Sequence, residues 1–316
     1  VTAATIHDVR CRLAVALAAA VALAAAVALA AAGGRTADEP DAAAPLVGPA
    51  FGTTYRVQCA RVPAGRTPGE LHRAIEEVLA GIDRWASTWR GDADASRVGD
   101  AAAGVWVPVA GDLVALVERA RAIHDASGGA FDVTIGPLMA AWGNGPPRLR
   151  AGAAPGGPPT AAAIAAARAR VGMRHVESRP ADDPAGPALR TRVPAMILDL
   201  SGIVPGHAVD RIGERLLALG STDHLVELGG EVRAWGHGPD GTPWRVALRT
   251  ADGATPPRDV PLADGEALAV STMRDGRSPL DPRTGRPPAH AVRQVIVRAR
   301  SCAVADAWAV ACLVRG

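Results

Sequence analysis

The chain has 316 residues and a formal net charge of +2 at pH 7. That length gives room for one large domain or two small ones, and so small a charge excludes the broad basic field of a nucleic-acid binder. No lysine occurs and all 34 basic residues are arginines, so no ammonium group is at hand for catalysis or phosphate binding.

The chain order begins with Arg10 and Arg12, followed by an apolar run from Leu13 to Ala32 in which VALAAA occurs three times in succession. A short basic region, an apolar core and small residues after it read as a secretory signal, and a run of this length also just spans a bilayer. Residues 1–34 are therefore expected to be a signal peptide or an N-terminal membrane anchor, and residues 35–49 a polar tether. Both readings place the protein outside the cytoplasm, in the cell envelope, periplasmic or membrane-anchored. Cys11 precedes the apolar run and is not a lipidation cysteine. Cys59, Cys302 and Cys312 have no C-x-x-C spacing, so no zinc site is supported. In an oxidising compartment two of them pair or all stay as buried thiols.

The stretch FGTTYRVQCARV from Phe51 alternates as a strand. A helix follows over TPGELHRAIEEVLAGIDRWASTW, with Thr67 and Glu70 forming a capping box around Pro68. A second helix starts near Asp112 and stops at Gly128-Gly129. After a Pro/Gly loop at 145–159, Thr160 caps an alanine-rich helix. AMILDLSGIVPGHAVDRIGERLLALG predicts strand, glycine turn and helix. HLVELGGEVRAWGHGPDGTPWRVALRT predicts two or three strands with a turn at 239–241. QVIVRARSCAVADAWAVACLVRG predicts a strand running into a helix. Helices interleave with antiparallel hairpins, so the fold class expected is α+β.

Three segments combine glycine with an acid near an expected strand end: Asp132 in SGGAFDVTIGPLMAAWG, Asp199 in LDLSGIVPGHAVD and Asp281 in DPRTGRP. Such turns let backbone N–H groups approach a phosphate. Asp281 reads first as an ordinary turn residue, since Asp and Pro favour turns, whereas Asp199 and Asp306, set among apolar neighbours, need partners if buried. No carboxylate or cysteine forms a metal-ligand or catalytic motif with His207 or His224 in the sequence, and both read as ordinary residues.

Taken in order, these segments resemble the FAD:protein FMN transferases, the ApbE-type flavin transferases formerly called thiamine-biosynthesis lipoproteins. The matching stretches are FGTTY, STWRGDADASRV, GGAFDVTIGPLMAAWG, DLSGIVPGHAVDR, ELGGEVRAWG, WRVAL, DPRTGRP and ADAWAVA, in family order over residues 50–316. The resemblance implies a flavin-transferase domain of mixed and antiparallel sheets with flanking helices, related to the T-fold. It implies a Mg²⁺-dependent enzyme that splits FAD, passes FMN to a threonine or serine of an exported or membrane flavoprotein and releases AMP, with no nucleic acid involved. By the match, Phe51, Trp89, Ala130, Phe131, Asp132, Asp199, Pro205 and Pro279 meet the flavin nucleotide. Gly202 through its carbonyl and Asp306 through its carboxylate meet the metal.

The chain departs from the family pattern at four places. Pro205 stands where a lysine or other polar residue is usual, and cannot donate a hydrogen bond. Ser278 occupies the position of a histidine thought to assist proton transfer, and a serine is a poor general base. Val310 replaces a threonine four residues after Asp306, so that ligand oxygen is lost. Relatives continue past the point where this chain stops, which reads as a C-terminal truncation. The alternatives to transfer are an FAD-binding paralogue without chemistry and a hydrolase giving FMN and AMP.

Overall fold

The computed structural model describes residues 27–28, 44–146, 157–251, 256–273 and 279–316. Its contacts divide the chain into two units. The first takes residues up to Leu79, Pro205–Val270 and Ile296–Asp306, and the second takes Ala80–Val204, Ser271–Val295 and Ala307–Gly316.

The first unit is built on antiparallel hairpins. A two-residue strand, β1 (Val27–Ala28), pairs with β9 (Trp244–Leu248), which also pairs with β10 (Arg258–Leu262). The larger sheet takes β2 (Leu46–Ala50), β3 (Thr53–Cys59), β7 (His224–Leu228), β8 (Glu231–Trp235), β11 (Ala267–Thr272) and β12 (Gln294–Ala299). Its spatial order is β12-β11-β8-β7-β3-β2. Residues 46–49, assigned above to the tether, lie in β2 and pair with β3 in register from Leu46↔Val57 to Ala50↔Thr53. The strand expected from Phe51 starts instead at Thr53. Phe51 and Gly52 form the turn, with φ of 49° and 80°, because a two-residue hairpin that follows the strand twist needs both central residues left-handed.

One face of the larger sheet carries Leu225, Val232, Ala234 and Leu268, which pack with Trp244, Val246 and Leu262 into an apolar core. Among the described residues three helices contribute to this unit, the last of them the start of the C-terminal helix. The first turns of α1 (Pro68–Ala86) follow the capping box as expected: Thr67 N–H donates to Glu70 Oε2 (2.8 Å) and Glu70 N–H donates to Thr67 Oγ1 (3.3 Å). α6 (Val204–Ala218) buries Ala208, Val209, Ile212 and Leu216 as an amphipathic stripe.

The second unit contains α2 (Asp94–Asp100), α3 (Gly111–Ala126), α4 (Gly136–Ala141), α5 (Ala161–Arg168) and a small antiparallel sheet. The sheet runs β4 (Val107–Pro108), β6 (Ala188–Thr191), β5 (Val176–Arg179). α3 ends where expected, with Gly128 and Gly129 left-handed at φ of 62° and 76°, and Thr160 Oγ1 caps α5 by accepting the Ala163 N–H. Leu138, Ile164, Ala167, Val171 and Leu280 form a local core.

The strand expected over AMILDL does not form. Residues 196–200 carry no regular secondary structure, although Met196, Leu198 and Leu200 are buried as a strand's inward residues would be. Asp199 N–H donates instead to Val133 O (2.7 Å), which ties this segment to the loop holding Asp132. Cys59, Cys302 and Cys312 are free thiols. Apart from Val27–Ala28, the apolar run Leu13–Ala32 lies outside the described residues. Among the described residues no helix is long and apolar enough to cross a membrane. The C-terminal helix, α7 (Cys302–Arg315), starts in the first unit and ends in the second.

Candidate functional site

In the first unit the residues singled out from sequence are Phe51, Pro205 and Asp306. Phe51 stands at the tip of the β2–β3 hairpin, 38 % exposed and left-handed. A side chain in that region costs backbone energy, so the tip holds an aromatic ring outward at the expense of stability. Pro205 is the second residue of α6. Its missing N–H falls in the first helical turn, where no intrahelical acceptor would have taken it, so the fold tolerates proline there at no cost in hydrogen bonds.

Asp306 lies in the second turn of α7 and is only 5 % exposed. Gly206 N–H, from the first turn of α6, donates to its Oδ2 at 3.1 Å. Burial pushes the carboxyl up to about 7, with the Gly206 N–H acting in the opposite direction. Among the described residues no arginine or histidine pairs with it. The close approach depends on glycine: a Cβ on residue 206 would lie 2.4 Å from Cys302 O and 2.9 Å from Ala303 Cα.

The second unit holds Trp89, Ala130, Phe131, Asp132, Asp199, Gly202, Pro279 and Val310. Asp132 opens an Asx turn: its Oδ1 accepts the Thr134 N–H (2.8 Å) and hydroxyl (2.6 Å). His124 Nδ1 lies 3.3 Å from its Oδ2 and 3.0 Å from Phe131 O. Burial raises the Asp132 carboxyl, and the Thr134 bonds offset part of that. The loop is pinned from both sides, since Ser127 Oγ accepts the Phe131 N–H and Thr134 Oγ1 accepts the Gly172 N–H at 2.6 Å. Asp199 is half-buried and its Oδ1 accepts the Ser201 N–H.

Gly202, Phe131 and Val310 converge. A Cβ on Gly202 would stand 3.2 Å from Val310 Cγ2 and 3.3 Å from Phe131 Cε2. Phe131 is thus a buried packing group rather than an open stacking platform. Val310 presents its Cγ2 methyl to Gly202, and has no hydroxyl of the kind a threonine would carry. Trp89 lies in the turn after α1, 68 % exposed, with its N–H donated to Ser87 Oγ. Pro279 is half-buried. Asp281 closes the DPRTG turn by accepting the Arg283 N–H and guanidinium (2.8 to 3.0 Å). Ser278 lies outside the described residues.

Two acids escaped the sequence reading. Asp210 is buried on α6 and binds the start of α7 through Cys302 N–H (2.9 Å) and Ala303 N–H (3.1 Å). The signal was present: an acid inside the apolar stripe Val204, Ala208, Val209, Ile212, Leu216 demands a partner. Glu227 sits in β7 opposite Arg56, and burial raises its carboxyl to about 7. Neither spacing nor periodicity marks Glu227, because a fully buried strand shows no alternation.

The model of the ApbE family matches residues 51–316. The FAD:protein FMN transferase of Vibrio cholerae is 31 % identical over 289 residues, covering 88 % of this chain and 83 % of that protein. The FAD:protein FMN transferase of Klebsiella pneumoniae is 30 % identical over 281 residues, covering 86 % and 78 %. Among solved structures, the apo flavinyl transferase ApbE of Pseudomonas stutzeri superposes with a TM-score of 0.77 at 34 % identity, covering 89 % of this chain and 86 % of that one. The Vibrio cholerae flavin transferase ApbE gives a TM-score of 0.78 at 31 % identity, covering 86 % and 87 %.

Proposed function

Because the chain belongs to the ApbE family, we propose that it transfers FMN from FAD to a serine or threonine of a partner protein and releases AMP. The acceptor hydroxyl oxygen bonds to the phosphorus of the FMN half. The bond from that phosphorus to the bridging oxygen breaks, AMP departs with the bridging oxygen, and the hydroxyl proton passes to solvent.

Asp306 carries the reading onto this chain's own residues. It is a buried carboxylate held up to about 7, with Gly206 N–H on one oxygen and no cationic side chain paired with it among the described residues. A divalent cation supplies the counter-charge that such a group needs. One carboxylate, water and substrate phosphate oxygens are donors that suit magnesium, and the family resemblance adds the Gly202 carbonyl. When bound, magnesium would neutralise charge on the diphosphate. Phe51 and Trp89, the exposed aromatics among the residues singled out, offer rings for stacking on the flavin. Asp132 and Asp199 offer hydrogen-bond acceptors, and the backbone of Ala130–Asp132, braced by Phe131 packing on Gly202, offers a fixed edge. Pro205 and Pro279 contribute contact surface only. The basic-then-apolar N-terminus supports export, in the periplasm or at the membrane, and hence an exported or membrane flavoprotein as acceptor.

A second reading, FAD binding without transfer or with hydrolysis to FMN and AMP, is favoured by Val310, which stands where the family pattern has a threonine oxygen and itself has none. Incubation with FAD, Mg²⁺ and a candidate acceptor decides between them. In-gel flavin fluorescence on the acceptor supports transfer, and AMP without labelled acceptor supports hydrolysis. Saturable FAD binding without AMP rules out both reactions.

A further inference from the structure

α6 and α7 touch at two successive turns in matching steps. On α6, Gly206 and Asp210 are four residues apart and share a face, as do Cys302 and Asp306 on α7. Gly206 meets Asp306, its N–H lying 3.1 Å from Oδ2. One turn on, Asp210 meets the first residues of α7. Its Oδ1 accepts the Cys302 N–H (2.9 Å) and Arg233 Nη1 (2.7 Å). Its Oδ2 accepts the Ser301 hydroxyl (2.7 Å) and the Ala303 N–H (3.1 Å). A carboxylate has about four acceptor sites, so this buried group is fully used.

We propose that Asp210 is a positioning residue for the metal carboxylate: it fixes where α7 starts against α6, and thereby sets Asp306 beside the Gly206 N–H. The inference rests on the magnesium reading of Asp306. Helix capping alone does not explain Asp210. α7 already has its own cap, because Ser301 Oγ accepts the Val304 N–H at 3.4 Å. Ser301 reaches α6 only through its hydroxyl bond to Asp210. Asp210 ties the helix end to α6 with two of the helix's unpaired N–H groups and the positive end of its dipole. Arg233, itself laid over the Trp235 ring, holds the carboxylate from the β8 side.

The test uses Mg²⁺ alone, titrated calorimetrically into the full chain, beside a thermal melt. Asp210→Asn turns an acceptor into an N–H that faces the donors of α7. It is expected to weaken Mg²⁺ affinity by roughly tenfold, the usual effect of removing a group that orients a ligand, and to lower Tm. Adding Ser301→Asp supplies a strong cap from α7 itself, so the double variant is expected to regain Tm without regaining affinity. Asp210→Glu keeps the charge, folds more safely and lengthens the arm by one methylene, and a several-fold loss of affinity is expected there too. Wild-type affinity in Asp210→Asn or Asp210→Glu, or recovery of affinity together with Tm in the double variant, overturns the inference. Asp306→Ala separates the two claims. Mg²⁺ binding that survives Asp306→Ala, or is absent from the wild type, removes the magnesium reading and this inference with it. Binding lost in Asp306→Ala but intact in Asp210→Asn removes this inference alone.

Discussion

Gly206→Ala probes the α6–α7 contact at the point where glycine is required. The added methyl would lie 2.4 Å from Cys302 O, 2.7 Å from Cys302 C and 2.9 Å from Ala303 Cα. All three are backbone atoms, so no rotamer change relieves them. A carbon-to-oxygen contact settles near 3.3 Å at its closest, which requires the helices to part by about 0.9 Å. That would stretch the Gly206 N–H bond to Asp306 Oδ2 from 3.1 Å to about 4 Å, beyond hydrogen-bonding range. Overpacking of this kind costs about 1–3 kcal/mol, and the broken bond to a carboxylate adds about 1.5–3 kcal/mol where it is not re-formed. A combined loss of about 2.5–6 kcal/mol, at about 2.1 cal/mol/K of unfolding entropy per residue, corresponds to a fall in Tm of roughly 4–9 °C at this chain length. The assays are a thermal melt and a Mg²⁺ titration on the same sample. A Tm within a degree of wild type, with unchanged Mg²⁺ affinity, would refute the claim that glycine at 206 seats Asp306.

Three further predictions follow from individual residues. Val310→Thr offers a hydroxyl on the side chain whose Cγ2 methyl now faces Gly202, and calorimetry is expected to find Mg²⁺ bound several-fold more tightly. Phe51→Gly relieves a left-handed φ of 49° while deleting the ring, so Tm is expected to hold or rise as FAD affinity, followed by flavin fluorescence, falls about tenfold. Glu227 has its carboxyl raised from an ordinary 4.5 to about 7 by burial. Between those values the folded state holds the proton more tightly than the unfolded chain. Its contribution is therefore complete below about pH 4.5 and lost as pH rises through about 7. Glu227→Gln keeps the shape without the charge, so its stability relative to wild type should grow from pH 5 to pH 8, by on the order of 2–3 kcal/mol in denaturant melts. A flat difference across that range contradicts the assignment.

Much of the architecture was legible because local chemistry and tertiary demand agree. Thr67 and Glu70 cap α1, Gly128-Gly129 ends α3 and Thr160 starts α5, each through bonds that the sequence pattern names. Legibility failed where tertiary contacts override local pattern. The AMILDL segment has a strand's burial but spends its Asp199 N–H on Val133 O, a partner that no local rule identifies. Phe51 reads as a strand residue by composition and becomes a turn residue because the β2–β3 register leaves only two residues to reverse the chain. The site was legible as a set of segments and illegible as a set of contacts. Asp306 stood out as a lone acid in an apolar helix, whereas its tie to Gly206 joins residues 100 apart. Asp210 likewise carries a local signal as an acid in the apolar stripe of α6, whereas its partners, the backbone N–H groups of a helix far along the chain, have none.

The central claim is that this chain moves FMN from FAD to a protein with the aid of the Asp306 carboxylate. The most direct measurement counts AMP released and acceptor labelled in the same reaction, for wild type and Asp306→Ala, with and without Mg²⁺. Wild type with Mg²⁺ is expected to give equal amounts of AMP and flavin-labelled acceptor, and neither product is expected without Mg²⁺ or from Asp306→Ala. FAD bound at saturation by wild type with Mg²⁺ present, with no AMP and no labelled acceptor, would contradict the claim.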